Sequence, residues 1–278
     1  MNAPRESLLA GSDDTPLFVT DWPADATHAF RGGILLMHGL GEHCGRYAHV
    51  ARFFHARGWS VRAYDHRGHG RSGGKRGDAP HQGTLLTDAK IVLDEFARQL
   101  PTPPLLLGHS MGGLFAARFA TAQLSPLRGL ILSSPALAVR LSGAQRTLLK
   151  LMLGVAPGLP LPNGLQVDYL SHRRDVINAY RNDPLVHGKI SARLLTAMLN
   201  AMDFSHTHAS SLSVPTLMVV AGDDHLVDPR GSREFFAKLV PGIGRLHWYQ
   251  DFYHEVFNEA EAARVFADVG NWLDDCIK

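Results

Sequence analysis

From about residue 33 the apolar residues alternate between short unbroken runs and helix-spaced stripes, and few folds accommodate that alternation. The runs are Gly33–Met37, Ser60–Tyr64, Pro104–Gly108, Gly129–Ser133, Thr216–Ala221 and Arg245–Tyr249. Each is strand-sized and mostly lacks the polar alternation of a half-exposed strand, so both faces are expected to be covered. Between them lie helical stripes: Tyr47, Val50, Ala51 and Phe54, then Leu85, Ala89, Val92, Leu93, Phe96 and Leu100. Strand runs that alternate with helices predict a doubly wound α/β sheet with mostly parallel strands. Ahead of it, "ESLL" and "LFVTDW" flank the turn "GSDD" and predict an antiparallel hairpin on the sheet edge.

The alternation lapses between Pro135 and Val214, where no strand-like run is found. That interval holds one stripe of Leu148, Leu149, Met152, Leu153 and Val155, a break "APGLPLPNG", and a second stripe of Ile190, Leu194, Met198 and Met202. It reads as a helical insertion, 135–213, over one end of a core made from 1–134 and 214–278. A chain of 278 residues is long enough for one such domain. The 28 basic and 26 acidic residues leave a charge of +2, too small for a nucleic-acid footprint. The N-terminus lacks a basic region followed by a long apolar one, and no apolar run approaches a membrane span, so a cytoplasmic location is expected. Cys44 and Cys276 suggest no disulfide framework.

Two glycine motifs compete to define the chemistry. "GHGRSG" (Gly68 to Gly73) matches the G-x-G-x-x-G of dinucleotide sites, which needs a helix N-terminus immediately after the turn. Here "GKRGDAPHQG" intervenes before any helical stripe, and Asp94, where the ribose-binding acid is expected, sits within a helix pattern. The motif is expected to be a loop, with no dinucleotide. "GHSMG" (Gly108 to Gly112) meets its own test, because the strand "PLLLG" leads into it and the helix former "MGGLFAARFATAQL" leaves it. Ser110 therefore sits on a sharp strand-to-helix turn that presents a nucleophile.

A serine needs a base, and the base an orienting carboxylate. On this fold the order along the chain is serine, acid, histidine. Asp223, Asp224 and Asp228 follow the run Thr216–Ala221, and His254 follows the last run. Asp228 precedes Pro229 at a helix start and reads as a cap. Asp223 and Asp224 are adjacent, so at most one faces the histidine. His247, His225 and His109 are read as structural. "HGLGEH" (His38 to His43) ends the third strand, where the amide of Leu40 is placed to join that of Met111 as an oxyanion hole. Its spacing does not fit a zinc motif, and neither a metal nor an organic cofactor is implied.

"HGLGEHCGRY", "DHRGHGRSGGKRG", "GHSMGG", "SHRRDVINAYRNDPLVHGKISARL" and "YHEVFNE", in this order, resemble the monoacylglycerol lipase and lysophospholipase branch of the α/β-hydrolases. The resemblance spans residues 30 to 270. It implies Ser110 as nucleophile, Asp224 as acid, His254 as base, and Leu40 and Met111 as oxyanion amides. It also implies that "RGHGRS" is a structural loop and that the insertion is a cap enclosing one acyl chain of a small lipid ester. Most cap leucines are then expected in the core, and a minority along an acyl tunnel or against a membrane surface. Lysophospholipase, broad carboxylesterase and cofactor-free perhydrolase activities use the same residues, and a non-catalytic binding module is the rival from another class. Cys44 departs from the family's usual serine, which raises either thiol sensitivity or a packed, inert side chain.

Overall fold

The expected edge hairpin is formed by β1 (Arg5–Ala10) and β2 (Pro16–Trp22), paired antiparallel. The structure, a computed structural model, describes residues 4–277. After the hairpin come β3 (Gly32–Met37), α1 (Ala48–His55), β4 (Trp59–Tyr64), α2 (Thr84–Ala97), β5 (Leu105–His109), α3 (Met111–Thr121) and β6 (Gly129–Ser133). Then follow α4 (Gly143–Val155), β7 (Pro160–Pro162), α5 (Arg174–Asn182), β8 (Lys189–Ser191) and α6 (Ala192–Thr207). The chain closes with β9 (Thr216–Ala221), α7 (Arg230–Ala237), β10 (Gly244–Tyr249) and α8 (Ala262–Cys276).

The main sheet runs β1-β2-β4-β3-β5-β6-β9-β10, parallel from β4 to β10. Its inner strands are buried on both faces, as their unbroken apolar runs require. Leu35, Met37, Leu106, Leu130 and Leu132 pack with α2, α3 and α6 on one face. Ile34, Leu36, Leu107, Ile131 and Val219 pack with α1 and α8 on the other. Because β3 lies between β4 and β5, the chain leaves β3 in one direction and returns past it to continue in the other. The loops after β3 and β5 therefore part, opening a crevice at the carboxyl ends of the strands.

"GHGRSG" is a loop after β4, and the next helix starts only at Thr84. It wraps Asp65, whose Oδ1 accepts from Cys44 N at 2.7 Å and Oδ2 from Arg71 N at 2.7 Å. A Cβ at Gly70, where φ is +47°, would lie 2.1 Å from Asp65 Oδ2. The glycine lets the turn close on a carboxylate, the opposite of a phosphate cradle.

The segment between β6 and β9 departs from expectation in four respects. It contains the antiparallel ribbon β7–β8, whose strands of three residues, one of them Pro-Leu-Pro, are too short to show alternation. Ile190 belongs to β8 rather than to the second stripe, because Ser191 caps α6 by accepting from Leu194 N at 3.1 Å. Leu194, Met198 and Met202 on α6 are core, but α4 has no buried residue, and Leu151 and Val155 are 59% and 75% exposed. The expectation that most stripe leucines pack in the core therefore fails for α4. α5 was passed over because it is short and carries only two buried residues, Ile177 and Tyr180, among mostly polar neighbours. Among the described residues no helix is long and apolar enough to cross a membrane.

Candidate active site

Ser110 joins β5 to α3 with φ 53° and ψ −118°, a conformation that side-chain-bearing residues rarely adopt. The surroundings over-determine it. Ser110 N donates to Ser133 O at 3.0 Å, and Ser110 O accepts from Ala136 N at 3.0 Å and Leu114 N at 2.9 Å. A Cβ at Gly108 would meet Gly112 O at 2.4 Å, and one at Gly112 would meet Met37 O at 2.2 Å. Both glycines are thus required by close backbone approach, and the turn thrusts a partly exposed Ser110 into the crevice.

Of the three acids after β9, one reaches the histidine. Asp224 Oδ2 lies 2.6 Å from His254 Nδ1, with both side chains buried. Asp224 Oδ1 accepts from Leu226 N at 2.9 Å and Val227 N at 3.0 Å, which fixes the carboxylate. Asp223 points to solvent and pairs with His225 at 3.0 Å. Asp228 pairs with Arg230 at 2.7 Å and Arg140 at 3.0 Å and accepts from Arg230 N, so it organises the start of α7. A carboxylate only accepts, so His254 carries its proton on Nδ1 and presents Nε2 as an acceptor. Burial alone would push the His254 pKa down, but the Asp224 charge and hydrogen bond, aided by Glu255 and Glu42, hold it above the ordinary value. His109, with ring centroid 4.7 Å from that of His254, is pushed down to about 4 by burial and by His254 itself, so no second cation competes there. Ser110 and His254 line one cavity, although the hydroxyl makes no hydrogen bond to the ring; such bonds often tighten only around the reacting group.

Leu40 follows β3 across the crevice, and Met111 opens α3. Among the described residues neither amide has an acceptor within the chain. Two free amides on opposite loops beside a partly exposed serine can receive an oxyanion.

Sequence reasoning missed the groups that hold these loops. Glu42 Oε1 accepts from Gly39 N and from Tyr47 Oη, each at 2.6 Å. Arg46 pairs with Glu42 and takes Glu255 in a two-point grip at 2.7 and 2.8 Å, joining the loop after β3 to the one bearing His254. Burial would raise the Glu42 carboxyl, but the Arg46 charge beside it brings it down to about 2. The i, i+4 spacing of Glu42 and Arg46 was the one local signal available. Glu259 was also missed. It accepts from Tyr253 N at 2.8 Å and from His172, so it ties the histidine loop to the inserted segment.

The cavity holds about 360 Å³. Ser110, Met111, Leu40 and His254 lie along it together with Leu148, Leu149, Met152, Leu195 and Met198 from α4 and α6, while Glu42, Glu255, Tyr180 and Asn163 supply polar wall. His225, expected to be structural, instead lines this cavity half-exposed. Cys44 is buried against Thr20 Oγ1 at 3.8 Å, and burial together with the Asp65 charge pushes its thiol well up, so it is packed rather than poised for reaction.

A doubly wound sheet with a strained serine turn after β5 and a buried Asp–His pair after its last two strands defines an α/β-hydrolase of the serine type. The chain belongs to the family described as serine aminopeptidase, S33, whose model matches residues 28–261. It is 35% identical to a monoacylglycerol lipase of Mycolicibacterium smegmatis over 96% of each chain. It is 33% identical to the phospholipase YtpA of Bacillus subtilis, covering 89% of this chain and 98% of that one. Among solved structures, the Paleococcus ferrophilus monoacylglycerol lipase superposes with a TM-score of 0.84 at 33% identity, over 92% of this chain and 98% of the other. The resemblance read from the five motifs is thus borne out.

Proposed function

We propose that the protein hydrolyses monoacylglycerols or closely similar monoacyl lipid esters through an acyl-enzyme. Ser110 Oγ attacks the ester carbonyl while His254 Nε2 takes its proton, and Asp224 holds the ring and stabilises the imidazolium. The Leu40 and Met111 amides receive the oxyanion. His254 then protonates the departing alcohol, and water, activated by the same imidazole, releases the fatty acid. Residues 135–213 act as the cap, with 1–134 and 214–278 as the core.

The observation that carries this reading is the cavity. Its volume of about 360 Å³ is at the small end of ligand pockets, with an apolar stretch under α4 and α6 that suits one acyl chain and a carboxylate- and amide-lined part that suits a small polar alcohol. The relatives named monoacylglycerol lipase support it. The phospholipase name of the Bacillus relative supports a second reading, cleavage of a lysophospholipid by the same residues. The exposed Leu151 and Val155 on α4, beside Lys150 and Arg146, suit transient contact with a lipid surface from a peripheral, cytoplasmic protein.

Hydrolysis rates across monoacylglycerols, lysophospholipids, triolein and short nitrophenyl esters test the substrate class, with monoacylglycerols expected fastest and triolein slowest. Ser110→Ala is expected to abolish turnover and labelling by a fluorophosphonate probe while leaving the fold intact. Unchanged turnover in that variant ends the serine mechanism, and comparable rates on triolein end the one-chain reading.

A further inference from the structure

We propose that Tyr169 is a positioning residue for the Asp224–His254 pair, its ring joining the loop that carries the acid to the loop that carries the base. The inference rests on the ester-hydrolase reading above. Each member of the pair has an aromatic neighbour in the chain: His225 follows Asp224, and Tyr253 precedes His254. Beside both stands Tyr169, at the end of a single 3-10 turn, Val167–Tyr169, in the inserted segment. Its ring stacks on that of His225, with centroids 4.1 Å and planes 24° apart, and meets the Tyr253 ring edge-on at 5.4 Å and 74°. The His225 and Tyr253 rings also meet, at 5.6 Å and 90°. Three segments distant in sequence thus close on one another through three mutually touching rings.

Each ring is also held from outside the cluster. Tyr169 O accepts from His254 N at 3.4 Å and Leu170 O from Glu255 N at 2.8 Å, so the backbone that carries the Tyr169 ring is already fastened to the histidine loop. His225 Nε2 lies 3.0 Å from Asp223 Oδ1. Tyr253 stacks on His172 with centroids 3.7 Å apart, and His172 Nδ1 lies 2.9 Å from Glu259 Oε1. Backbone bonds join the acid and histidine loops at their roots, Gly222 N donating to Tyr249 O at 2.7 Å and Asp223 N to Phe252 O at 3.2 Å. Asp224 and His254 lie beyond those bonds, at the level where the rings meet. Their contact of 2.6 Å depends on how the two loops sit, and a misplacement of about 1 Å at a reacting group can cost about a hundredfold in rate. Aromatic pairs favour the arrangement that makes them by roughly two- to tenfold each. Tyr169 is not part of the cavity wall, whereas Leu170 and His225 are, so its ring acts on the pair rather than on the substrate.

In the full chain, Tyr169→Leu keeps the backbone bonds and removes the ring. It is expected to lower kcat on a short nitrophenyl ester about tenfold, with KM within about threefold. The Asp224 charge and hydrogen bond hold the His254 pKa up against burial, so loosening the pair should move the acid limb of kcat/KM to lower pH. Glu255, Glu42 and His109, which also face that ring, stay in place, so the shift reports on Asp224. The far-downfield proton resonance of His254 Nδ1–H, bonded to a carboxylate, should weaken or move upfield. Tyr169→Phe, which keeps the ring, should recover most of the loss on all three readouts. His225→Ala acts on the same stack, so its combination with Tyr169→Leu should lose less than the product of the single losses. An unchanged acid limb and downfield proton in Tyr169→Leu, with any fall in kcat tracking Tm, would make the ring a packing element and overturn the proposal, as would losses that multiply in the double variant. Should Tyr169→Leu not fold, His225→Ala against His225→Phe carries the test, and equal kcat and acid limb in those two overturn it. Turnover surviving in Ser110→Ala would instead remove the ester-hydrolase reading beneath.

Discussion

Replacing Arg46 by methionine would leave Glu42 and Glu255, whose side chains are only 4% and 5% exposed, without their shared cation. Methionine fills much of the volume, so the effect is chiefly electrostatic. Breaking a buried ion pair by removing one partner typically costs about 3–5 kcal/mol, which for a chain of this size is roughly 6–20 °C in Tm. The loss should depend on pH. In the wild type the Glu42 pKa is depressed, so its contribution to stability is present above the unfolded value and fades as pH falls toward about 2. Without Arg46, burial raises the same carboxyl, and the variant loses stability as pH rises above the unfolded value of about 4.3. The gap between wild type and Arg46→Met should thus be wide at neutral pH and close toward about pH 4.5. Arg46→Lys should recover part of it, because the charge returns without the two-point grip. Calorimetric scans of the three proteins across that range decide. A Tm gap under about 2 °C at neutral pH, or one that does not vary with pH, would refute the view that the two loops are joined through a buried charge.

Asp224→Asn should lower kcat by about ten-thousandfold, roughly 5 kcal/mol of barrier, while Asp223→Asn stays within about tenfold; the reverse ranking in steady-state assays would reassign the acid. Asp228→Asn should instead lower Tm by a few degrees, at about 1–3 kcal/mol for a lost charge-assisted bond, and leave kcat nearly unchanged. Because the His254 pKa is raised and its neutral form is the proposed base, kcat/KM should fall with acidification through a pKa above about 6.5. Any stability gained from its imidazolium runs the other way, full at low pH and lost as pH rises through that value; a pH–rate profile with its acid limb below the ordinary value would contradict the assignment. Leu151→Glu with Val155→Glu should weaken cosedimentation with lipid vesicles and leave hydrolysis of a water-soluble ester unchanged, and unaltered cosedimentation would remove α4 from the contact surface.

The parts of the fold legible in the sequence are those where burial is two-sided. Ile34 to Met37 and Leu105 to Leu107 are covered on both faces, so their runs admit no other assignment than inner strands. The serine turn was legible because its strand, glycines and helix are contiguous. α4 was misjudged because its apolar residues keep a helical period while facing a cavity and solvent, and periodicity reports a face without saying what covers it. The choice between Asp223 and Asp224 did not follow from residue types at all. It depends on a loop path that directs one carboxylate to Leu226 N, Val227 N and His254 and its neighbour to solvent. The bond from Arg46 to Glu255 spans 209 positions, and no local signal encodes it.

These long-range bonds share a pattern. The loop after β3 is held by the inserted segment as well as by the sheet: Gly41 O accepts from His187 N at 2.8 Å, and His43 pairs with Asp183 at 2.8 Å. The histidine loop is held likewise, Glu255 N donating to Leu170 O at 2.8 Å and Glu259 receiving His172. Ser110, by contrast, is held by β6, by Ala136 shortly after it and by the start of α3, with β3 against Gly112. Ser110 thus rests mainly on the sheet and the residues just after β6, whereas the loops that carry Leu40 and His254 are braced partly by α5, the turn before β8 and the stretch around Leu170 and His172. A change in α5 or in the turn before β8 can therefore reach the Leu40 amide, proposed for the oxyanion, without touching the serine turn, because the inserted segment that lines the cavity also braces the loop after β3.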